Sequence, residues 1–329
     1  MKIGLITDSV GHLPFESALD LAKEQGLSSV EVATGNWSEA PHADLPALVS
    51  SAEARAEFAE KISSRGLTLS ALCANGNQLH PVEGPEHDKV VRNTIALASN
   101  LEVPTVVLMS GLPGARGDST PNWITTSWPP ETLKVLDYQW NEVAIPFWKD
   151  IQARAADADV KVCIEMHPHN LVYNPATMER LATEVDATHV GAEMDPSHLF
   201  WQGIDPVLAT EHLGGLVYNA AAKDTRINAA AKVNGVLDDR FGRVTPDDPD
   251  ALSLGGRYTL SRWPENSSWD FVAVGRGHDV DFWTDFLRAL AKVDPDMAVN
   301  IEHEDQELDQ LEGLRSAAET LKAAAARLG

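Results

Sequence analysis

Short apolar runs rich in β-branched residues alternate with longer amphipathic stretches from one end of this 329-residue chain to the other. Eight runs read as strands, over residues 2–7, 30–33, 67–73, 103–109, 160–166, 189–194, 216–222 and 298–301. Between and after them the pattern predicts helices over 14–25, 51–65, 85–100, 131–157, 175–185, 205–212, 280–293 and 308–328. Pro14 opens the first helix and Gly26 follows it, and Gly66 closes the second, the asymmetry expected of helix ends. In the third, Val90, Val91, Ile95, Leu97, Ala98 and Leu101 are spaced to bury one face.

Eight strands alternating with eight helices in one chain of this length predict an α/β fold, a single (β/α)8 TIM barrel spanning 1–329. An open doubly wound sheet is the competing architecture. It usually carries a G-x-G-x-x-G turn after its first strand, whereas here Asp8, Ser9, Val10, Gly11 and His12 follow. Two connections exceed what a barrel needs. Residues 110–130, after the fourth strand, are rich in Gly, Pro and Trp, and 225–277, after the seventh, form a long insertion or lid with Trp263 and Trp269.

Composition narrows the partners. With 26 basic against 49 acidic residues the formal charge is −23, which repels nucleic-acid backbones and anionic membranes. Cys73 and Cys163 both sit in apolar strand runs and suggest no disulfide framework or zinc-knuckle spacing. The chain enters its first strand at once, and no apolar run approaches the roughly 20 residues that span a bilayer. A cytoplasmic protein is expected.

The fifth strand ends in the chain's densest chemistry. Val160, Val162, Cys163 and Ile164 are apolar on both faces, as in a buried parallel strand, and Glu165, His167 and His169 then alternate so that all three point to one side. In a barrel the C-terminal strand ends share one pocket. There the sixth strand adds Asp195 and His198, the seventh Lys223 and Asp224, and the eighth Glu302, His303 and Glu304. One acid at a strand end commonly caps a helix, but carboxylates gathered in an interior repel one another unless protonated or bridged by a cation. Glu165, Asp195 and Glu302 therefore predict a divalent metal. Oxygen ligation suits Mn²⁺ or Mg²⁺, and added imidazole admits Co²⁺, Zn²⁺ or Fe²⁺.

Taken in order, IEMHPHN, MDPSHLFWQG, AKDTRI, GHDVDFW and IEHED resemble the xylose isomerase-like sugar isomerase and epimerase superfamily over essentially the whole chain. The resemblance implies a barrel with one divalent metal, Mn²⁺ first, held at Glu165, Asp195, the position of Ala221, and Glu302. It also implies proton transfer beside a sugar carbonyl, with Glu165 and Glu302 as base and acid and His167 as a third candidate. His198 is implied to bind a substrate hydroxyl, and Lys223, His278, Trp123 and Trp128 are further substrate-binding candidates. Ala221 departs from the pattern, standing where relatives read His in H-x-K-D, with Asn219 in the other common place. That leaves open three carboxylates plus water, recruitment of His198 or His167, a weak site, or no metal.

The loop with Pro121, Asn122, Trp123 and Trp128 and the 225–277 insertion also resemble the barrel subunit of bacterial C-glycoside deglycosidases. That likeness implies a lyase cleaving 3-oxo-C-glycosides by β-elimination beside a small β-rich subunit. The expectation is thus an enzyme acting on a sugar or keto-sugar, as a homo-oligomer or with such a subunit. The rival from another class is a non-catalytic sugar-binding scaffold whose metal site has decayed.

Overall fold

The computed structural model describes residues 1–328 apart from 243, 246, 249–251, 254–258, 261–263 and 306; Trp263 lies outside the described residues. Eight parallel strands close a barrel: β1 (Lys2–Ile6), β2 (Ser29–Ala33), β3 (Thr68–Cys73), β4 (Thr105–Met109), β5 (Lys161–Glu165), β6 (Val190–Met194), β7 (Val217–Ala222) and, after four short strands of the insertion, β12 (Ala298–Ile301). Closure is made by β12, which pairs Val299 with Ile3 of β1 and Asn300 with Ala221 of β7. This is the predicted (β/α)8 barrel.

Around it run α1 (Phe15–Glu24), α2 (Leu45–Ser50), α3 (Ala52–Ser63), α4 (Gly84–Asn100), α5 (Leu133–Asp137), α6 (Ile145–Ala158), α7 (Pro175–Glu184), α8 (Ser197–Phe200), α9 (Pro206–Leu213), α10 (Ala231–Asn234), α11 (Val280–Val293) and α12 (Gln310–Ala325). Side-chain caps mark the starts: Ser51 accepts from Ala54 N–H, Asp205 from Val207 and Leu208 N–H, and Asn174 forms a capping box with Thr177. Trp148, Trp283 and Phe286 fill the space between helices and barrel with no exposed surface. No helix among the described residues is long and apolar enough to cross a membrane.

The single helix expected over 131–157 is instead α5 and α6 joined through a π-helical turn, Tyr138–Ala144. Pro146 explains the change. Its ring crowds the carbonyl four residues earlier and it has no N–H to donate, and one widened turn absorbs both defects.

The barrel interior is polar halfway up. Glu31 on β2 accepts from Asn300 Nδ2 at 2.9 Å and from Asn219 Nδ2 at 3.3 Å, and Asn219 Nδ2 also reaches Glu193 Oε1 at 3.0 Å. All four residues are buried. Burial, opposed by the two asparagine hydrogen bonds and assisted by Glu165 and Asp8, pushes the Glu31 carboxyl up to about 7.

The insertion begins and ends as a ribbon. In it β8 (Asp224–Ile227) pairs antiparallel with β11 (Trp269–Val272), and between them β9 (Leu252–Ser253) pairs with β10 (Thr259–Leu260). Asp224 clamps the return of the chain: its Oδ2 accepts from Gly275, Gly277 and His278 N–H at 3.1, 3.0 and 2.9 Å. A Cβ on Gly277 would lie 2.5 Å from Asp224 Oδ1, so only glycine allows that approach. The ribbon thereby hangs Phe271 over the barrel mouth.

Candidate functional site

Glu165 is the last residue of β5, Asp195 follows β6, Lys223 follows β7 and Glu302 follows β12, so parallel strand direction alone delivers all four to one end of the barrel. Two groupings form there. On the β5–β6 side, His198 Nε2 lies 3.2 Å from Glu165 Oε1 and 3.3 Å from Asp195 Oδ2. On the β7–β12 side, Lys223 Nζ lies 3.3 Å from Glu302 Oε1 and 2.6 Å from Glu304 Oε2, and 4.4 Å from the centre of the Phe271 ring.

His167 bridges toward the first group, its ring centre 4.1 Å from that of His198. Its Nδ1 donates to the Pro168 carbonyl at 2.6 Å, which leaves Nε2 as the nitrogen with a lone pair. His169 is exposed and stands at a φ of 59°, a left-handed conformation that costs a non-glycine residue and recurs at functional sites. Asn75, just beyond β3, donates from Nδ2 to Glu165 Oε2 and so sets which oxygen faces His198.

The remaining candidates are spread around the rim. Trp123 is half-buried and packs edge-on to Tyr173 and His169, with centroids 5.6 and 6.4 Å away. Trp128 is 82% exposed on the outer part of its loop. His278 stacks on Phe200 at 3.7 Å and donates from Nδ1 to Asp224 Oδ1 at 2.7 Å. Ala221 is buried and offers no donor.

Electrostatics separate the acids. Burial works against charge on Glu165, but His198, His167 and Lys223 outweigh it and hold the carboxyl down at about 2. Burial pushes Asp195 up to about 7, with Lys223 pulling down and Glu165 pushing up. Glu302 is raised by burial and by Glu304, Glu165 and Asp195, with Lys223 opposing. Burial, with His167 beside it, drops His198 to about 3, so its imidazole is neutral. Lys223 stays charged: burial opposes its charge, and Glu302, Glu304, Asp195 and Glu165 more than restore it. One ammonium faces Glu165, Asp195 and Glu302, with Glu193 and Glu31 beneath, so this interior must hold protons or a cation.

Sequence reasoning missed Asn75, Trp37 and Phe271. Trp37, after β2, places its ring 6.4 Å from His167, and Phe271 lies 5.4 Å from His198. None follows an apolar strand with an acid or imidazole, so no local signal distinguished them from loop residues.

The family model for the xylose isomerase-like TIM barrel matches residues 19–324. The chain belongs to that family. It is 40% identical over 328 residues to the uncharacterised protein YfiH of Bacillus subtilis strain 168, covering 98% of each chain. Among solved structures it is similar to an IolI protein with a bound zinc atom, at a TM-score of 0.63 and 16% identity over 100% of this chain and 99% of that one. It is also similar to a D-tagatose 3-epimerase-like protein, at a TM-score of 0.61 and 16% identity over the whole of both chains. These structural likenesses concern the fold.

Proposed function

We propose that this family member is a sugar isomerase or epimerase-type enzyme that moves a proton on the carbon next to the carbonyl of a sugar or keto-sugar. The observation that carries the reading is the opposed pair of acids at the barrel mouth. Glu165 is held ionised, and Glu302, on the far side beside Lys223, is pushed toward its protonated form. Two carboxyls driven apart in this way divide into a base and an acid.

In this reading Glu165 removes the proton and Glu302 returns one to the opposite face or the neighbouring carbon. Lys223 puts a fixed positive charge where negative charge develops on oxygen, inside a site walled by Phe271 and Trp37. Neutral His198 and His167 are placed to hold hydroxyl groups. A divalent cation belongs to the reading, Mn²⁺ first and Mg²⁺, Co²⁺ or Zn²⁺ next; when bound it supplies polarisation of the substrate carbonyl. The solved epimerase-like and zinc-bearing relatives on the same fold support this choice of chemistry.

The same base would serve elimination from a 3-oxo-glycoside. Aromatic surfaces at Trp37, Trp123 and Phe271, which suit a flat leaving group, favour keeping that second reading. Proton NMR in D₂O over sugars, 3-oxo-sugars and aryl C-glycosides, with metal supplied, tests both. Exchange beside a carbonyl without cleavage supports isomerase-type chemistry, and release of the aglycone supports the lyase. No exchange above the uncatalysed rate on any of them rejects catalysis of this kind.

A further inference from the structure

We propose that Phe271, carried to the barrel mouth by the 225–277 insertion, is a positioning residue: its ring face seats the Lys223 ammonium, and its contact with His198 steadies that imidazole. The inference rests on the proposed function only for what Lys223 does during proton transfer, and the contacts stand on their own.

Phe271 touches both groupings of the site. Lys223 Nζ lies 4.4 Å from the centre of its ring, and the His198 ring lies 5.4 Å away with the two planes at 90°. His198 stands between Glu165 and Asp195, and Lys223 between Glu302 and Glu304. One ring from outside the barrel thus bears on the hub of each.

The lysine has a side to spare. Its ammonium carries three N–H bonds, and the carboxylates of Glu302 and Glu304 approach it at 3.3 and 2.6 Å. At 3% exposure, Lys223 has almost no water to complete its surroundings. The face of an aromatic ring carries partial negative charge, so it attracts the cation without adding another carboxylate to a crowded interior. A desolvated contact of this kind is at the strong end of its range. An aliphatic side chain would fill the same space and offer no such attraction.

The insertion is built to hold that ring still. Phe271 lies on β11 opposite Thr225 of β8, and a ribbon of two short strands is marginal by itself. Anchors to the barrel make up for that. Thr225 Oγ1 donates to the Ser197 carbonyl at 2.8 Å, next to His198, and Ala273 N–H donates to Asp305, beyond β12, at 2.8 Å. Trp269 shares a face of the strand with Phe271, the two rings 5.2 Å apart. It stacks in turn on buried Trp201, with centres 5.4 Å apart and planes at 12°. The chain is therefore fixed before and after Phe271 to different parts of the mouth, and the ring between them has its place set.

The test replaces Phe271 in the full-length protein by mono-, di- and trifluorophenylalanine, which keep the shape of the ring and withdraw charge stepwise from its face. Urea unfolding is expected to show stability falling with each fluorine, by about tenfold or more in the unfolding equilibrium constant across the series. In a Lys223→Met/Glu302→Gln background the series is expected to be flat within about twofold, because the cation is gone. A flat series with the lysine present overturns the proposal, as does one that falls equally without it. Sugar proton exchange is read in parallel. Phe271→Leu is expected to lower kcat about ten- to a hundredfold with KM within about threefold, as for a group that orients rather than binds. Phe271→Tyr keeps a π face and is expected to lose less; equal losses overturn the proposal. Should Phe271→Leu fail to fold, the fluorinated proteins carry the kinetic comparison, with kcat falling along the series. Fluorine dependence without sugar exchange removes the proposed function and leaves this contact, whereas exchange without fluorine dependence does the reverse.

Discussion

Lys223 and Glu302, on neighbouring strands β7 and β12, form an ion pair at the barrel mouth with Nζ 3.3 Å from Oε1, the lysine buried and the carboxylate half-buried. The pair divides the acids of the site. Glu302 answers to an ammonium, Glu165 and Asp195 to an imidazole.

Breaking the pair from the lysine side strands Glu302 beside Glu304. Lys223→Met is expected to destabilise the fold by about 2–3 kcal/mol, somewhat less than for a fully buried pair because both acids retain some exposure and can take up a proton. The double variant Lys223→Met/Glu302→Gln is expected to recover most of that loss. Urea unfolding of the four proteins in a double-mutant cycle measures it, and additive effects would show that the two side chains do not interact.

Glu165→Gln and Glu302→Gln are each expected to lower kcat by about a thousandfold, the scale of a lost acid or base. Glu302→Gln is expected to leave the melting temperature level, since burial already pushes that carboxyl toward its neutral form, whereas Glu165→Gln is expected to lower it, because His198, His167 and Lys223 stabilise the ionised carboxylate. Activity close to wild type in either variant would remove that residue from the chemistry.

Asn75 acts through Glu165. Asn75→Asp removes the donated hydrogen bond and adds a carboxylate beside it, both of which raise the Glu165 carboxyl. Because the base must be ionised, the acid limb of the kcat/KM profile is expected to move about one unit toward higher pH. An unmoved limb would assign that limb to another group.

The insertion is tied down at Asp305. Its Oδ2 accepts from Ala273 N–H at 2.8 Å and Arg276 Nη1 at 2.6 Å, and its Oδ1 from Glu307 N–H at 2.7 Å. Burial works against the charge, but these donors outweigh it and hold the carboxyl below its ordinary value. A depressed carboxyl contributes stability that is complete above the unfolded value of about 4 and is lost as pH falls through the folded one. Asp305→Ala is therefore expected to cost about 2 kcal/mol at pH 7. The gap from wild type should narrow as the pH drops below about 4. A gap independent of pH in denaturant titrations would contradict this.

The fold was legible because its signals are local. Each barrel strand is a short apolar run and each helix a periodic one, and in a parallel barrel every strand end faces the same way. Glu165, Asp195, Lys223 and Glu302 could therefore be brought to one mouth from the sequence alone. Local pattern failed where one residue changes a turn, as at Pro146.

Which acid meets which base was not legible. Whether Glu302 turns to Lys223, and Glu165 to His198 and to Asn75 ninety residues away, depends on side-chain direction after the barrel has closed. The same holds for Phe271, carried over the mouth by a ribbon that Asp224 anchors from a distance. Sequence determined the strands and the chemistry at their ends, through periodicities that span a few residues. Tertiary structure decided the partners, because those contacts join segments that meet only when the barrel closes.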